Sequence, residues 1–268
     1  MKNILVPTDF SACATNAVEA AFMLAKKFES VVHVLHVITD NKIQKDESEW
    51  QQAIDNASVL LEKIKERHEE VDTTTLSVSG KLIPFIKDYV DAHGIDLVVM
   101  GSHGASGKQE YFIGSNTQKA VRILHCPVLV IKEKLESLDF DKVVFASNFN
   151  VEEKGPFMKF KSFIKHFIPE IHLVNIHTSS LFDPPYTVSR EAMNDFKALC
   201  APFECQTHIY RDFTIERGIR AFSSDIGAQL IAVSNHQRHP IRRMLRGSNV
   251  EALVNHANIP VLSIDYKE

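Results

Sequence analysis

Cysteine is scarce in this chain, with four in 268 residues (Cys13, Cys126, Cys200 and Cys205) and no two in a C-x-x-C arrangement. That leaves no disulfide framework and no dithiol spacing for zinc or redox chemistry, so small buried apolar positions are expected for most of them. Positive charge is equally thin: 30 Lys and Arg stand against 34 Asp and Glu, for a net charge of -4, without a Lys/Arg-rich run. Binding driven by counterion release needs a concentrated basic face, so neither nucleic acid nor an anionic membrane is an expected partner. No apolar run approaches the roughly 20 residues of a membrane helix. The opening stretch meets Pro7 and Asp9 too early for a signal peptide, and the expected location is the cytoplasm.

Familiar catalytic motifs are also missing. G-x-x-x-x-G-K-[ST] fails because Gly107-Lys108 would need glycine at Ser102 and Ser or Thr at Gln109, and G-x-G-x-x-G is absent. A standard P-loop NTPase or dinucleotide-dependent dehydrogenase is therefore not expected. There is no nucleophile and base at a recognisable spacing and no carboxylate dyad, so no catalytic residue is nominated. His103 reads as a loop spectator, because acid–base work needs a partner geometry. His236 and His239 lack a third ligand at a convincing spacing, so no metal-ligating residue is nominated either.

What is present is ordinary globular composition, 44% hydrophobic and 24% charged, arranged as two copies of one pattern. The strand-like Ile4–Val6 and Val31–Val37 recur as Val143–Ala146 and Ile171–Ile176, at an offset of 139 measured from Asp9 to Asn148 and from Val37 to Ile176. Cys126-Pro127-Val128-Leu129-Val130-Ile131 recurs as Ile259-Pro260-Val261-Leu262-Ser263-Ile264 at an offset of 133. Conserved order within one chain marks a tandem duplication. The charged stretch from Lys132 to Ser137 fits a linker.

Helical patterns separate the strands. Ala17, Ala21, Leu24 and Phe28 share one face, as do Trp50, Ile54, Ala57, Leu61 and Ile64. Strands apolar on both faces and alternating with helices predict right-handed crossovers and a parallel sheet covered on both sides. The expected fold class is α/β, as two doubly wound domains at 1–135 and 139–268, each a five-stranded parallel sheet flanked by helices.

The most informative motif follows Leu97-Val98-Val99-Met100: Gly101-Ser102-His103-Gly104, nine residues, then Gly114-Ser115-Asn116. In a doubly wound sheet the loops after the first and fourth strands meet where strand order reverses, which brings Pro7-Thr8-Asp9 beside these glycines. Glycine lets a backbone approach an anion, and the helix opening at Gly114 offers free N–H groups, with Ser115 able to cap it. Turn formation alone accounts for the same glycines equally well.

This spacing, with the preceding D-L-V-V-M strand, the C-P-V-L-V-I ending and the I-L-V-P-T-D-F-S opening, resembles the universal stress protein family, and the resemblance covers both halves. It implies the adenine nucleotide alpha hydrolase type of fold and, where the motif is intact, ATP binding. By position, Asp9 is expected at the adenosine part with Pro7 and Thr8 walling it, and Val37 at the adenine edge. Met100 and Gly101 are expected under the sugar, and Gly104, Gly114, Ser115 and Asn116 at the phosphates. Magnesium or manganese is expected to bridge those phosphates without dedicated carboxylates. The implied role is a stress-response switch with at most slow hydrolysis, an unidentified protein partner, and tandem halves joined through their last strands into a pseudo-dimer that pairs as a homodimer; two other readings stay open, a slow ATP-hydrolysing or adenylyl-transferring enzyme in which His103 and Asp9 support the chemistry, and a nucleotide-free interaction module whose glycine loops are only structural.

In the second copy Asn148 replaces Asp9, Ser234 replaces Gly101 and Gln237 replaces Gly104, while Gly247-Ser248-Asn249 survives, so full nucleotide binding is not expected there. Arg238, Arg242, Arg243 and Arg246 cluster in that loop and read either as an anion clamp or as a solvated face. Phenylalanine is skewed, 12 of 17 lying after residue 139; Phe157, Phe160, Phe163 and Phe167 at helical steps read chiefly as core.

Overall fold

Strong local signals set the element boundaries in the computed structural model, which describes residues 1–39, 47–102, 114–178, 184–235 and 249–265. Contacts divide the chain into two compact units, Met1–Leu138 and Asp139–Glu268. In the first, strand β1 (Asn3–Pro7) is apolar and leads to helix α1 (Ala12–Phe28). The Ser11 side chain caps α1 by accepting from the Ala14 N–H at 3.3 Å, and Glu29 closes it in the left-handed region at φ 54°. The face predicted for α1 is buried: Ala17, Ala21, Leu24 and Phe28 all lie in the core.

Strand β2 (Val31–Ile38), helix α2 (Glu47–Arg67), β3 (Thr73–Ser79), α3 (Leu82–His93), β4 (Leu97–Gly101), α4 (Ser115–Ile123) and β5 (Val128–Ile131) complete the unit. Of the stripe predicted on α2, Ala57 and Leu61 are buried, whereas Trp50, Ile54 and Ile64 are half-buried. Gly94, at φ 57°, stops α3 in a conformation that glycine adopts without a Cβ penalty. The strands are parallel in the order β3-β2-β1-β4-β5. Strands β4 and β5 are buried along their whole length, as a sheet covered on both faces requires.

The second unit repeats this plan with β6 (Lys142–Ala146), α5 (Lys154–Ile164), β7 (Glu170–His177), α6 (Tyr186–Leu199), β8 (Cys205–Arg211), α7 (Ile215–Asp225), β9 (Leu230–Asn235), α8 (Asn249–His256) and β10 (Val261–Asp265). Its order is β8-β7-β6-β9-β10, again parallel. The phenylalanines pack the core, Phe145 standing edge-on to Phe157 at 5.2 Å and Phe157 edge-on to Phe196 at 5.5 Å. Phe157, Phe160 and Phe163 are fully buried; Phe167, at the end of the run, is half-buried. Among the described residues no helix is long and apolar enough to cross a membrane.

Candidate functional site

Strand order reverses between β1 and β4, which pair at Ile4 with Leu97 and Leu5 with Val98. The segments after their carboxyl ends therefore diverge to opposite sides and leave a crevice between them. On the β1 side the chain makes a tight turn. The Thr8 N–H donates to Leu35 O at 2.8 Å, the Thr8 hydroxyl oxygen accepts from the Phe10 N–H at 3.0 Å, and Phe10 takes φ 62°. A left-handed non-glycine residue costs about 1 kcal/mol, which the hydrogen-bonded turn offsets. Asp9 Oδ1 accepts from the Ser11 N–H at 3.1 Å, which ties its carboxylate to the start of α1. His36 Nδ1 donates to Thr8 O at 2.8 Å; a carbonyl only accepts, so the proton sits on Nδ1. Val37 lies two residues beyond Leu35, the last β2 partner of β1, and so extends past Pro7 over the crevice end of the sheet.

On the β4 side, Gly101 has a reason internal to the fold. A Cβ there would lie 2.7 Å from the carbonyl oxygen of Cys13, backbone in the first turn of α1, so only glycine lets this strand end and that helix meet. The Thr117 hydroxyl donates to Gly101 O at 2.7 Å, the Gly114 N–H donates to Ser102 O at 2.7 Å, and the Ser102 N–H donates to Ile131 O at 2.9 Å. These bonds hold the start of α4 against the end of β4. Sequence reasoning missed Thr117, whose only signal is its place two residues after Ser115. It also missed Cys13, half-exposed with its sulfur 3.6 Å from the Ser102 hydroxyl.

The expected cap of α4 needs correction. Gly114, not Ser115, is the capping residue: at φ -60° and ψ 140° it precedes the helix, and its carbonyl receives the first helical bond from the Gln118 N–H at 3.1 Å. Ser115 and Asn116 are the first helical residues and are exposed. A glycine cap has no side chain of its own to occupy the leading N–H groups, and the first turn carries no acidic residue, so the helix brings the positive end of its dipole to this end of the sheet.

Pro7, Thr8, Asp9, Val37, Met100, Gly101, Gly114, Ser115 and Asn116 thus lie at the same end of one sheet. Gly104, His103 and Lys108 lie outside the described residues, as do Gln237, His236, His239, the four clustered arginines and Gly247-Ser248. Among the described residues no group of three or more His, Cys, Asp or Glu is arranged to hold a metal ion.

The second unit reproduces the turn with other residues. The Ser147 hydroxyl oxygen accepts from the Phe149 N–H at 2.8 Å, Phe149 has φ 58°, and the Asn175 amide donates to Ser147 O at 3.0 Å, as His36 does to Thr8 O. Asn148 and Ser234 line a cavity there together with Glu153, a residue nothing in the sequence singled out.

Perturbed ionisation lies elsewhere. Burial and the neighbouring His93 hold His33, hydrogen-bonded to the Tyr89 hydroxyl at 3.0 Å near the amino end of β2, below its ordinary value. Between α6 and β8 the Cys200 thiol donates to the Cys205 sulfur, which pushes Cys200 up, with burial adding to the effect, and holds Cys205 below the ordinary thiol range. Cys126 and Cys200 are buried, as expected for structural cysteines, while Cys205 is half-exposed.

The model of the universal stress protein family matches residues 1–132 and 183–264. A universal stress protein of Methanocaldococcus jannaschii is 31% identical over 157 residues, which is 50% of this chain and 96% of that protein. One of Synechocystis sp. is 22% identical over 293 residues, spanning 98% of this chain and 99% of its own. The crystal structure of a universal stress protein from Archaeoglobus fulgidus superposes with a TM-score of 0.81 at 20% identity, covering 98% of this chain and 96% of that one.

Proposed function

Because the chain belongs to the universal stress protein family, we propose that residues 1–135 form its nucleotide-binding domain and take one ATP in the crevice between the ends of β1 and β4, and that 139–268 form a companion domain without a nucleotide site. The observation that carries this reading is the start of α4. Its capping residue is a glycine, which offers no side-chain acceptor of its own to the leading N–H groups, the first turn carries no carboxylate, and the positive end of the helix suits a phosphate. Gly114, Ser115 and Asn116, with Gly104, would hold the phosphates; Asp9, Thr8 and Pro7 would meet the adenosine part, Val37 the base, and Met100 and Gly101 the sugar. A magnesium or manganese ion would arrive with the nucleotide and be held by its phosphate oxygens.

Bound ATP acts as a switch for a protein partner in the stress response, in the cytoplasm, and the chain pairs as a homodimer. In this reading hydrolysis is at most slow and is not the output. Calorimetric titration of the intact chain with ATP tests the reading. One site per chain is expected, and it is lost in Gly114→Val. Valine adopts φ -60°, ψ 140° without backbone strain, and a branched side chain at the helix start is expected to crowd the phosphates; an unchanged urea midpoint checks that the variant folds. Two equal sites, no binding, or unchanged affinity in the variant would refute it.

A further inference from the structure

The turns that join α2 to β3 and α6 to β8 are built alike. His68 and Cys200 stand immediately after their helices, and the N–H of each donates back into the helix, His68 to Lys65 O at 3.0 Å and Cys200 to Lys197 O at 3.1 Å. Three residues on, the Val71 N–H donates to His68 O at 3.0 Å and the Phe203 N–H to Cys200 O at 3.1 Å. Each chain then enters its strand in the same register, Thr73 opposite Val32 and Cys205 opposite Ile171. The backbones match and the side chains do not: where the first turn has His68 and Thr73, the second has Cys200 and Cys205.

The fold thus pairs two thiols that no C-x-x-C spacing announces. Their sulfurs are 2.6 Å apart, with the Cys200 thiol donating to Cys205. A disulfide bond is about 2.05 Å long, so two sulfurs already side by side can bond without rearranging the turn. Cys200 is only 1% exposed, whereas Cys205 is half-exposed beside the exposed Ala201, Pro202 and Glu204, which gives a small oxidant access to one sulfur and not the other. Lys161 Nζ donates to Leu199 O at 2.8 Å and to Ala201 O, which anchors an ammonium at this turn. The hydrogen bond from Cys200 holds Cys205 below the ordinary thiol range; burial opposes it and Lys197 assists. The same bond pushes Cys200 up, and burial adds to the effect. An accessible sulfur favoured as thiolate, next to a buried thiol that keeps its proton, makes an attacking and a resolving cysteine.

We propose that Cys200 and Cys205 form a peroxide-reactive dithiol, which closes to an intramolecular disulfide and is reopened by small thiols. The Cys205 thiolate attacks one oxygen of a hydroperoxide: the S–O bond forms, the O–O bond breaks, and the leaving alkoxide or hydroxide takes up the proton that Cys205 released. Sulfur is oxidised by two electrons to a sulfenic acid, and the peroxide is reduced to an alcohol or water. The Cys200 sulfur then attacks the Cys205 sulfur: the S–S bond forms, the S–O bond breaks, and the Cys200 proton leaves with the hydroxyl group as water. Two molecules of a small thiol reverse the closure and leave as their own disulfide, returning both protons to the pair. The closed bond ties the end of α6 to the start of β8. The site is independent of the ATP reading, since it uses only residues of the second unit.

The test treats the reduced, intact chain with hydrogen peroxide, labels the remaining thiols with iodoacetamide in urea, and reads the tryptic peptides by mass spectrometry. Residues 198–211 form one such peptide and hold both cysteines. That peptide is expected to lose two hydrogens and both labels, and to regain both labels after dithiothreitol, while Cys13 and Cys126 stay labelled. Closure is expected to be at least about tenfold faster in the native chain than in urea, since the fold supplies both the contact and the thiolate. In Cys200→Ser the Cys205 sulfenic acid is expected to persist and to be trapped by dimedone; in Cys205→Ser, Cys200 is expected to stay reduced. The unsubstituted chain decides the matter even if a variant does not fold. Both labels retained after peroxide, oxidation of Cys13 or Cys126 ahead of this pair, a disulfide between chains, equal rates in urea, or dimedone on Cys200 rather than Cys205 would each overturn the proposal.

Discussion

Gly101 and Ser234 occupy equivalent positions and answer opposite demands. Glycine at the end of β4 lets the backbone of α1 approach, and the contact that excludes a Cβ is backbone, which cannot rotate aside. Gly101→Ala is therefore expected to destabilise the first unit by about 1–3 kcal/mol, measured as a lower urea midpoint with unchanged slope. An unchanged midpoint would show that α1 yields at no cost and would return the glycine to the ligand alone. The same residue illustrates how far the sequence could be read. Its place in the motif was plain, but its packing partner was not, because Cys13 lies 88 positions away and meets it only through the fold. Glu153 was invisible for a related reason: within Glu152-Glu153-Lys154 it looks like part of a solvated charged face.

Among the elements, β7 and β8 carry a pH-sensitive contact at one side of the second sheet. His172 Nδ1 and His208 Nε2 share a hydrogen bond of 3.1 Å, in which one ring must donate and the other accept, so a proton on both breaks it. Burial holds His172 below its ordinary value of 6.5 and outweighs Glu170, whose carboxylate is 3.5 Å away, while Lys142 acts with burial. His208 is lowered by burial and then by His172, against Glu170. Above pH 6.5 both states are neutral; as pH falls through 6.5 the unfolded chain takes up protons before the folded one, so stability is lost from there downward until the folded values are passed. The expected result is histidine ring titration midpoints below 6.5 for both residues and a falling urea midpoint under the same acidification. A midpoint at or above 6.5 for either ring would contradict the account. The elements themselves were largely legible, since the shared apolar face of α1 and the apolar strands are local signals. The cap of α4 was misread by one residue, because a glycine cap works through backbone atoms and presents no side chain to recognise.

For the molecule as a whole, the two units share one plan but place different residues at the matching end of the sheet, Asp9 and Gly101 in the first and Asn148 and Ser234 in the second. The family model fails over residues 133–182, the stretch that holds β6, α5 and β7 and with them Asn148 and Glu153, although those elements keep the fold of their counterparts. Under the proposed reading of one nucleotide per chain, ATP stabilises the native first unit by mass action. Saturating ATP is thus expected to slow amide hydrogen exchange at the ends of β1 and β4 and at the start of α4, with no change at the ends of β6 and β9 or at α8. Equal protection in both units would contradict the assignment of one nucleotide per chain.

The sequence by itself determined the two copies, the alternation of strand and helix, and which copy retains the glycines, because all three are written in local periodicity and spacing. Only the tertiary structure decided that Gly101 serves a helix as well as any ligand, that Gly114 rather than Ser115 caps α4, and that Glu153 reaches Ser234 across 81 positions. Those are matters of which backbone atoms touch and which carboxylate is buried, and they are settled by contacts between residues remote in the chain.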